Sequence, residues 1–235
     1  MDIYILHIML NTVTYYFKNI FYYFLFYIYV YGFYEFLYIY LHCKKKINTL
    51  TPYKKKYVVK NIVKSVNLAA LTFYGIPYII YPAIAYHTWD NNIIHICGLF
   101  YSSNDLAALI YVPDLPKTTK NHHQVTVVLS LVSLFIDYNT SSLGRMLFVY
   151  TLASSSSFIV NTYLGSRYIC DKKDLVTMKK YARNVYGLSL GINWGWHIYW
   201  CVNYYYLLRM QHFLYFIVMF FIVKDDIILF KWLCN

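Results

Sequence analysis

The chain has 235 residues, of which 60% are apolar and only 13% charged, and it carries a net charge of +11 and a mean hydropathy of +0.41. An ordinary water-soluble domain, about a quarter charged, is excluded by that balance, and a membrane protein is indicated. Thirty tyrosines and sixteen phenylalanines among abundant Ile, Asn and Lys fit an A/T-rich coding sequence better than any aromatic chemistry.

Apolar runs start near 20, 66, 93, 124, 144, 185 and 211, each approaching the ~20 residues that a helix needs to cross the hydrocarbon layer. The first, Phe21 to His42, is too long for the core of a signal peptide. It lacks a basic start and a small-residue cleavage site, so it reads as a retained span. The connection from Lys44 to Lys64 holds eight lysines and Thr51-Pro52 and reads as a solvated, poorly ordered loop. Val66 to Tyr86 follows, with Pro77 and Pro82 inside it as kink positions, and then Ile93 to Val112. Val125 to Ile136 reaches spanning length only if Asn121, His122 and His123 are included. Asn139-Thr140-Ser141 is a glycosylation sequon in a loop too short and too close to the membrane for modification to be expected. Gly144 to Leu164 and Val185 to Leu208 are clear spans, whereas Phe213 to Val223 is short and either extends toward Trp232 or lies at the interface. The reading is an all-α polytopic transmembrane helix bundle of about 6–7 spans, with residues 1–43 as a leading span and 44–235 as one helical membrane unit.

Charge placement supports that order. Of the 21 basic residues, 18 fall in alternate connections, and only Lys18, Arg145 and Arg209 flank the other side. By the positive-inside rule the amino terminus is then outside or lumenal and the carboxyl terminus cytoplasmic. Basic loops so placed face anionic lipid head groups, which makes membrane lipids the partners and gives no role to nucleic acid. Cys43, Cys97, Cys170, Cys201 and Cys234 are scattered and odd in number; no disulfide framework, zinc framework or other metal site is expected.

An ionisable group at membrane depth is costly, and so marks a candidate site. His122-His123 opens the fourth apolar run, and His122, Thr126 and Ser130 share one helical face, continued by Ser133. Asp105 lies seven residues before Val112, at a depth of about 10 Å from the basic side. Asn67 and Asn161 enter from that side on two other spans. The four spans together supply what a polar cavity or buried hydrogen-bonded network requires. In one reading a neutral His acts as general base, with Asp105 accepting the other ring proton; in the other, the two histidines cap the helix or sit among head groups. His197, beside Trp194 and Trp196, either faces the same cavity or makes a structural hydrogen bond. The run Ser154 to Ser157 reads as a close helix contact. Glu35 in the first span has no assigned role, and that span need not join the bundle.

These residues resemble the TLC domain shared by ceramide synthases, translocating-chain-associated membrane proteins and lipofuscinosis-related ER proteins. The resemblance covers about residues 57 to 230. It rests on Lys64-Ser65-Val66-Asn67, similar to the family's opening Ser and His pattern, on Asp105, on His122-His123-x-x-Thr126, and on Ser155, Phe158 and Asn161 in that order. Asn67 stands where the family has His, and Ala153 or Ser154 where many members have Glu. The acidic cluster that follows the double histidine in ceramide synthases has no counterpart between Asp137 and Asp171. The resemblance is therefore closer to the non-synthase branch and implies an endoplasmic reticulum or related membrane, host membrane included.

Two functions follow as expectations. One is lipid binding, sensing or membrane-lipid homeostasis, with Asn67, Asp105, His122, His123, Thr126, Asn161 and His197 around a lipid head group or chain end, and with no cofactor. The other is an acyl-CoA-dependent acyltransferase with His122, His123 and Asp105 as catalytic candidates, for which acyl-CoA is the only cofactor implied. A seven-span receptor agrees with the count of runs alone.

Overall fold

The structure, a computed structural model, describes residues 3–43 and 45–235, with side chains for these except 3–6, 8, 45 and 46. Among the described residues every regular element is a helix. We label the long ones α1 (Ile3–His42), α2 (Pro52–Gly75), α3 (Asn91–Tyr111), α4 (Lys117–Ser133), α5 (Ser142–Ser156, resuming as Phe158–Ser166), α6 (Lys172–Asn203) and α7 (Met210–Cys234). Beyond Gly75, α2 runs through a π-helical turn, Ile76–Ile80, into a short helix, Tyr81–Ala85. That turn falls at Pro77, where a missing N–H loosens the ladder.

The expected loop from Lys44 to Lys64 is largely helix. Lys44 lies outside the described residues, Lys45–Asn48 makes one turn, and α2 begins at Pro52. Thr51 caps it by accepting a hydrogen bond from the Lys54 N–H, with Pro52 at the first helical position. A Thr-Pro pair is therefore a start signal here, since proline's fixed φ suits that position and its absent N–H is not missed. Asp90 and Ser141 cap α3 and α5 in the same way. The last helix takes the longer of the two expected forms, continuing past Val223 to Cys234.

Helix neighbours close a ring, in the order α2, α3, α4, α7, α6, α5 and back to α2. The α2–α5 contact is the tightest, because a Cβ on Gly165 would stand 2.8 Å from Ile62 Cγ1 and 3.3 Å from the Val58 carbonyl oxygen. The leading helix does not stand apart. It packs on the outside of α3 and α2, with Val30 and Tyr34 fully buried beside Val59, Val63, Ala107 and Tyr111.

Four segments are long and apolar enough to cross a membrane: Met9–His42, Pro52–Ala85, Asn91–Tyr111 and Ser142–Ser166. The others fall outside that class: α4 has only 17 residues, the charge-free half of α6 is interrupted by Asn193, Trp194, Trp196 and His197, and α7 carries Lys224-Asp225-Asp226 mid-helix. Phe17, Phe36, Phe73, Ile84, Phe135 and Ile217 project outward and are more than half exposed. Apolar surface on that scale suits hydrocarbon and not water.

Opposite the basic ends, two connections are clasped together. Asp137 accepts hydrogen bonds from the Asn91 amide at 2.8 Å, the Asn139 N–H at 3.1 Å and the Thr140 hydroxyl at 2.9 Å. The sequon residue Asn139 donates to the Trp89 carbonyl at 2.9 Å and accepts from the Trp89 N–H at 3.1 Å. These donors, led by Asn91, hold the Asp137 carboxyl down at about 2. A carboxyl whose folded pKa is depressed contributes stability above its unfolded value near 4 and loses it as pH falls toward the folded value. Hydrogen exchange at 137–140 is therefore expected to quicken between pH 4 and pH 2 relative to the chain's exposed amides, and the Asp137→Asn variant should lack that step.

Candidate functional site

The ring interior is polar at the end that gathers the basic segments. Asp105, on α3, has no exposed surface, and an unpaired carboxylate in such a place would be prohibitive. Lys64 Nζ, one helix away on α2, donates to its Oδ1 at 2.5 Å. His123 Nδ1, on α4, stands 2.8 Å from the same oxygen. Three ring helices thus meet on one carboxylate. Next to it the Asn67 amide donates to Asn104 Oδ1 at 2.7 Å, and Ser102 and Ser130 hydroxyls pair at 2.5 Å between α3 and α4.

His122, its ring 5.6 Å from that of His123, reaches α7. Its Nδ1 lies 3.5 Å from Asp225 Oδ2 and 3.9 Å from Asp226 Oδ1. Asp225 also accepts from the Thr119 hydroxyl at 3.0 Å. Asp226 is buried and accepts from the phenols of Tyr150 and Tyr186, the latter at 2.8 Å.

Two cavities lie inside the ring. The polar one, about 330 Å³, takes its walls from all six ring helices and includes Lys60, Lys64, His122, His123, Arg167 and Asp225. Its size is at the lower end of the ~300–1,000 Å³ common for small-molecule sites. The second, about 70 Å³, is lined mainly by apolar side chains such as Leu71, Ile79, Ile94 and Phe148, with Thr126, Ser130 and Ser133 along one side. It has less than half the ~150 Å³ that admits benzene, so it can take only the end of a chain. Tyr101 and His122 line both cavities.

Sequence-predicted residues divide accordingly. Asp105 and His123 meet directly, His122 and Asn161 line the polar cavity, and Thr126 continues the stripe into the narrow one while its hydroxyl donates to the His122 carbonyl at 3.0 Å. Asn67 belongs to the buried network behind the cavity, not to its wall. His197 belongs to neither: it bonds the Asn193 carbonyl at 2.6 Å and the Tyr215 hydroxyl at 2.9 Å, a structural tie between α6 and α7. The serine run makes helix contacts, Ser155 to Thr72 at 3.1 Å and Ser154 to Asn193 at 3.5 Å, but Ser157 faces the polar cavity.

Sequence reasoning missed Lys60, Lys64 and Arg167 as site residues, placing them in basic connections, and it missed Asp225 and Asp226. The available signal was the Lys224-Asp225-Asp226 triplet inside an otherwise apolar helix. By the cost argument applied to Asp105, it marks a site.

Chemically, each histidine lies beside a carboxylate, the arrangement that orients an imidazole as a base. Ligand atoms of Asp105, His122 and His123 also lie within 4.8 Å of one another, a donor set that could hold a divalent cation. The Lys64 ammonium on the Asp105 carboxylate weighs against a cation there. Comparison with protein-family models, curated proteins and solved structures found no match to this chain.

Removing one partner of a buried ion pair leaves an uncompensated charge, while replacing both by apolar groups is often neutral. Lys64→Met alone is expected to destabilise the protein by about 3–5 kcal/mol, and Lys64→Met with Asp105→Leu to recover most of that loss, as read by thermal unfolding in detergent.

Proposed function

We propose that this chain is a TLC-type multi-pass membrane protein that binds membrane lipid inside its helical ring and acts in lipid sensing or homeostasis, in an endoplasmic reticulum or related membrane. The observation that carries the reading is the pair of adjoining cavities, one polar and one apolar, that share Tyr101 and His122. A lipid has the same polarity sequence: the head group lies among Lys60, His122, His123 and Arg167, and the start of a chain points toward Leu71 and Phe148. The ring helices cross the bilayer in this reading, with their basic ends cytoplasmic. Its two tests are independent. Lys54→Cys and Lys173→Cys are expected to label from the cytoplasmic face and Thr88→Cys from the opposite face; the reverse pattern would overturn the orientation. Purified wild-type protein is expected to carry a bound lipid of one head-group class, and His122→Ala to retain several-fold less of it. A lipid content identical in the two proteins and matching the bulk membrane would sink the binding reading.

A second reading is favoured by the His123–Asp105 and His122–Asp225 pairs. In it one imidazole takes a proton from an amine or hydroxyl acceptor as that group attacks an acyl thioester, and the thiol of CoA departs. Acyl transfer that is supported by wild type and abolished by His123→Ala or His122→Ala would replace the binding reading with this one.

A further inference from the structure

The polar cavity carries charges of both signs, and they are segregated. On the side formed by α2 and α5, Lys60 is only 4% exposed, lies 5.3 Å from the Tyr57 ring centroid, and has no carboxylate within 4 Å among the described residues. Lys64, one turn along, is already committed to Asp105. Arg167, just past the end of α5, is stacked among Tyr57, Tyr168 and Trp232, with its guanidinium carbon 4.7 to 5.2 Å from their ring centroids. One of its terminal nitrogens donates to the Tyr168 hydroxyl at 2.9 Å, and its Nε is buried without an acceptor. Asn61 and Ser157 line the same wall, both buried, and Asn61 Oδ1 and Ser157 Oγ have no partner.

The opposite sign comes from α7. Asp226 is satisfied by two phenols, but among the described residues Asp225 has only the Thr119 hydroxyl and a His122 ring 3.5 Å away. Lys60 and Asp225 line one cavity yet do not pair. A buried cation and a partly buried carboxylate held apart across a space, beside unpartnered hydrogen-bonding groups, lack only an occupant that meets both. Such an occupant carries an anion at one point and a cation at another. An ammonium, a guanidinium and a hydroxyl lining one cavity suit phosphate oxygens; a carboxylate suits an ammonium or a quaternary amine.

Resting on the lipid-binding reading, we propose that the polar cavity selects a zwitterionic phospholipid head group. Its phosphodiester lies against Lys60, Arg167 and Ser157, and its amine against Asp225. A purely anionic head group would satisfy the first wall and be repelled by the second, and a free phosphate would leave Asp225 unmatched.

The test titrates short-chain lipids into the full-length protein in detergent and follows tryptophan fluorescence and thermal shift. Phosphocholine and phosphoethanolamine lipids are expected to bind at least tenfold more tightly than phosphatidylglycerol, phosphatidic acid or diacylglycerol of the same chain length. Asp225→Asn, nearly isosteric, should erase that preference by weakening the zwitterions and strengthening the anionic lipids. Lys60→Gln should weaken all the phosphate-bearing lipids, with Lys60→Arg restoring them, which separates lost charge from lost folding. Anionic lipids that bind wild type as tightly as zwitterions, or a preference unmoved by Asp225→Asn, would overturn the proposal and leave the lipid reading standing. Binding of none of these lipids would overturn both. Full displacement by millimolar inorganic phosphate would overturn the proposal by assigning the cationic wall to a free anion.

Discussion

The ring depends on the burial of one carboxylate. Asp105 lies within an apolar helix with no exposed surface, and a charge in that position is tolerable only if neighbouring elements bring groups to it. Lys64 comes from α2 and His123 from α4, so the rotations of three helices are set at once. A turn of α2 by one residue would swing Lys64 about 100° away and leave the carboxylate unmatched. Apolar packing in a membrane is far less particular, because a leucine is as well solvated by lipid as by another leucine. The Lys64–Asp105–His123 cluster therefore decides which helix faces meet.

The same interaction shapes the cavity. With Lys64 and His123 drawn toward Asp105, Lys60 and His122 on the same two helices are presented to the interior, where α7 supplies Asp225 and Asp226. Polar groups collect at the end of the ring where the basic segments lie, while Leu71, Ile79 and Ile94 fill the other end. The interior thus changes from charged to apolar along the ring axis, and His122 stands at the change. The Asp137–Asn91–Asn139 clasp ties the connections at the far end, so the ring is closed by polar contacts at both ends.

Much of this could be read in the chain. The cost of burying a charge picked out Asp105 and the two histidines, and helical periodicity placed Thr126 and Ser130 on the face that lines the narrow cavity. The readings that failed share one cause. Lysine-rich stretches were treated as solvated, but Lys60 and Lys64 lie on the inward face of α2, and neither composition nor run length shows which way a helix faces. The last run, left open between an extension toward Trp232 and an interfacial position, does extend, and the charge that follows Val223 belongs to the site. For His197 the sequence left a cavity role and a structural hydrogen bond open, and the structure has the second, to Tyr215 on α7.

The sequence alone determined a helical protein with long apolar segments, an alternation of basic and neutral connections, and a small set of polar residues too costly to be incidental. Those properties are local: they follow from hydrophobic run length, from capping and from the price of desolvation. Only the tertiary structure decided that the helices close into a ring with α1 outside it, that His123 serves Asp105 while His122 serves α7, and that the cavity between them has a cationic wall and an acidic one. These depend on the rotation of each helix about its axis and on contacts such as His123–Asp105 and His122–Asp225, 18 and 103 positions apart, which pattern along the chain does not encode. The double histidine was conspicuous in the sequence as a single feature; in the structure it is two neighbouring rings with separate carboxylate partners, Asp105 and Asp225.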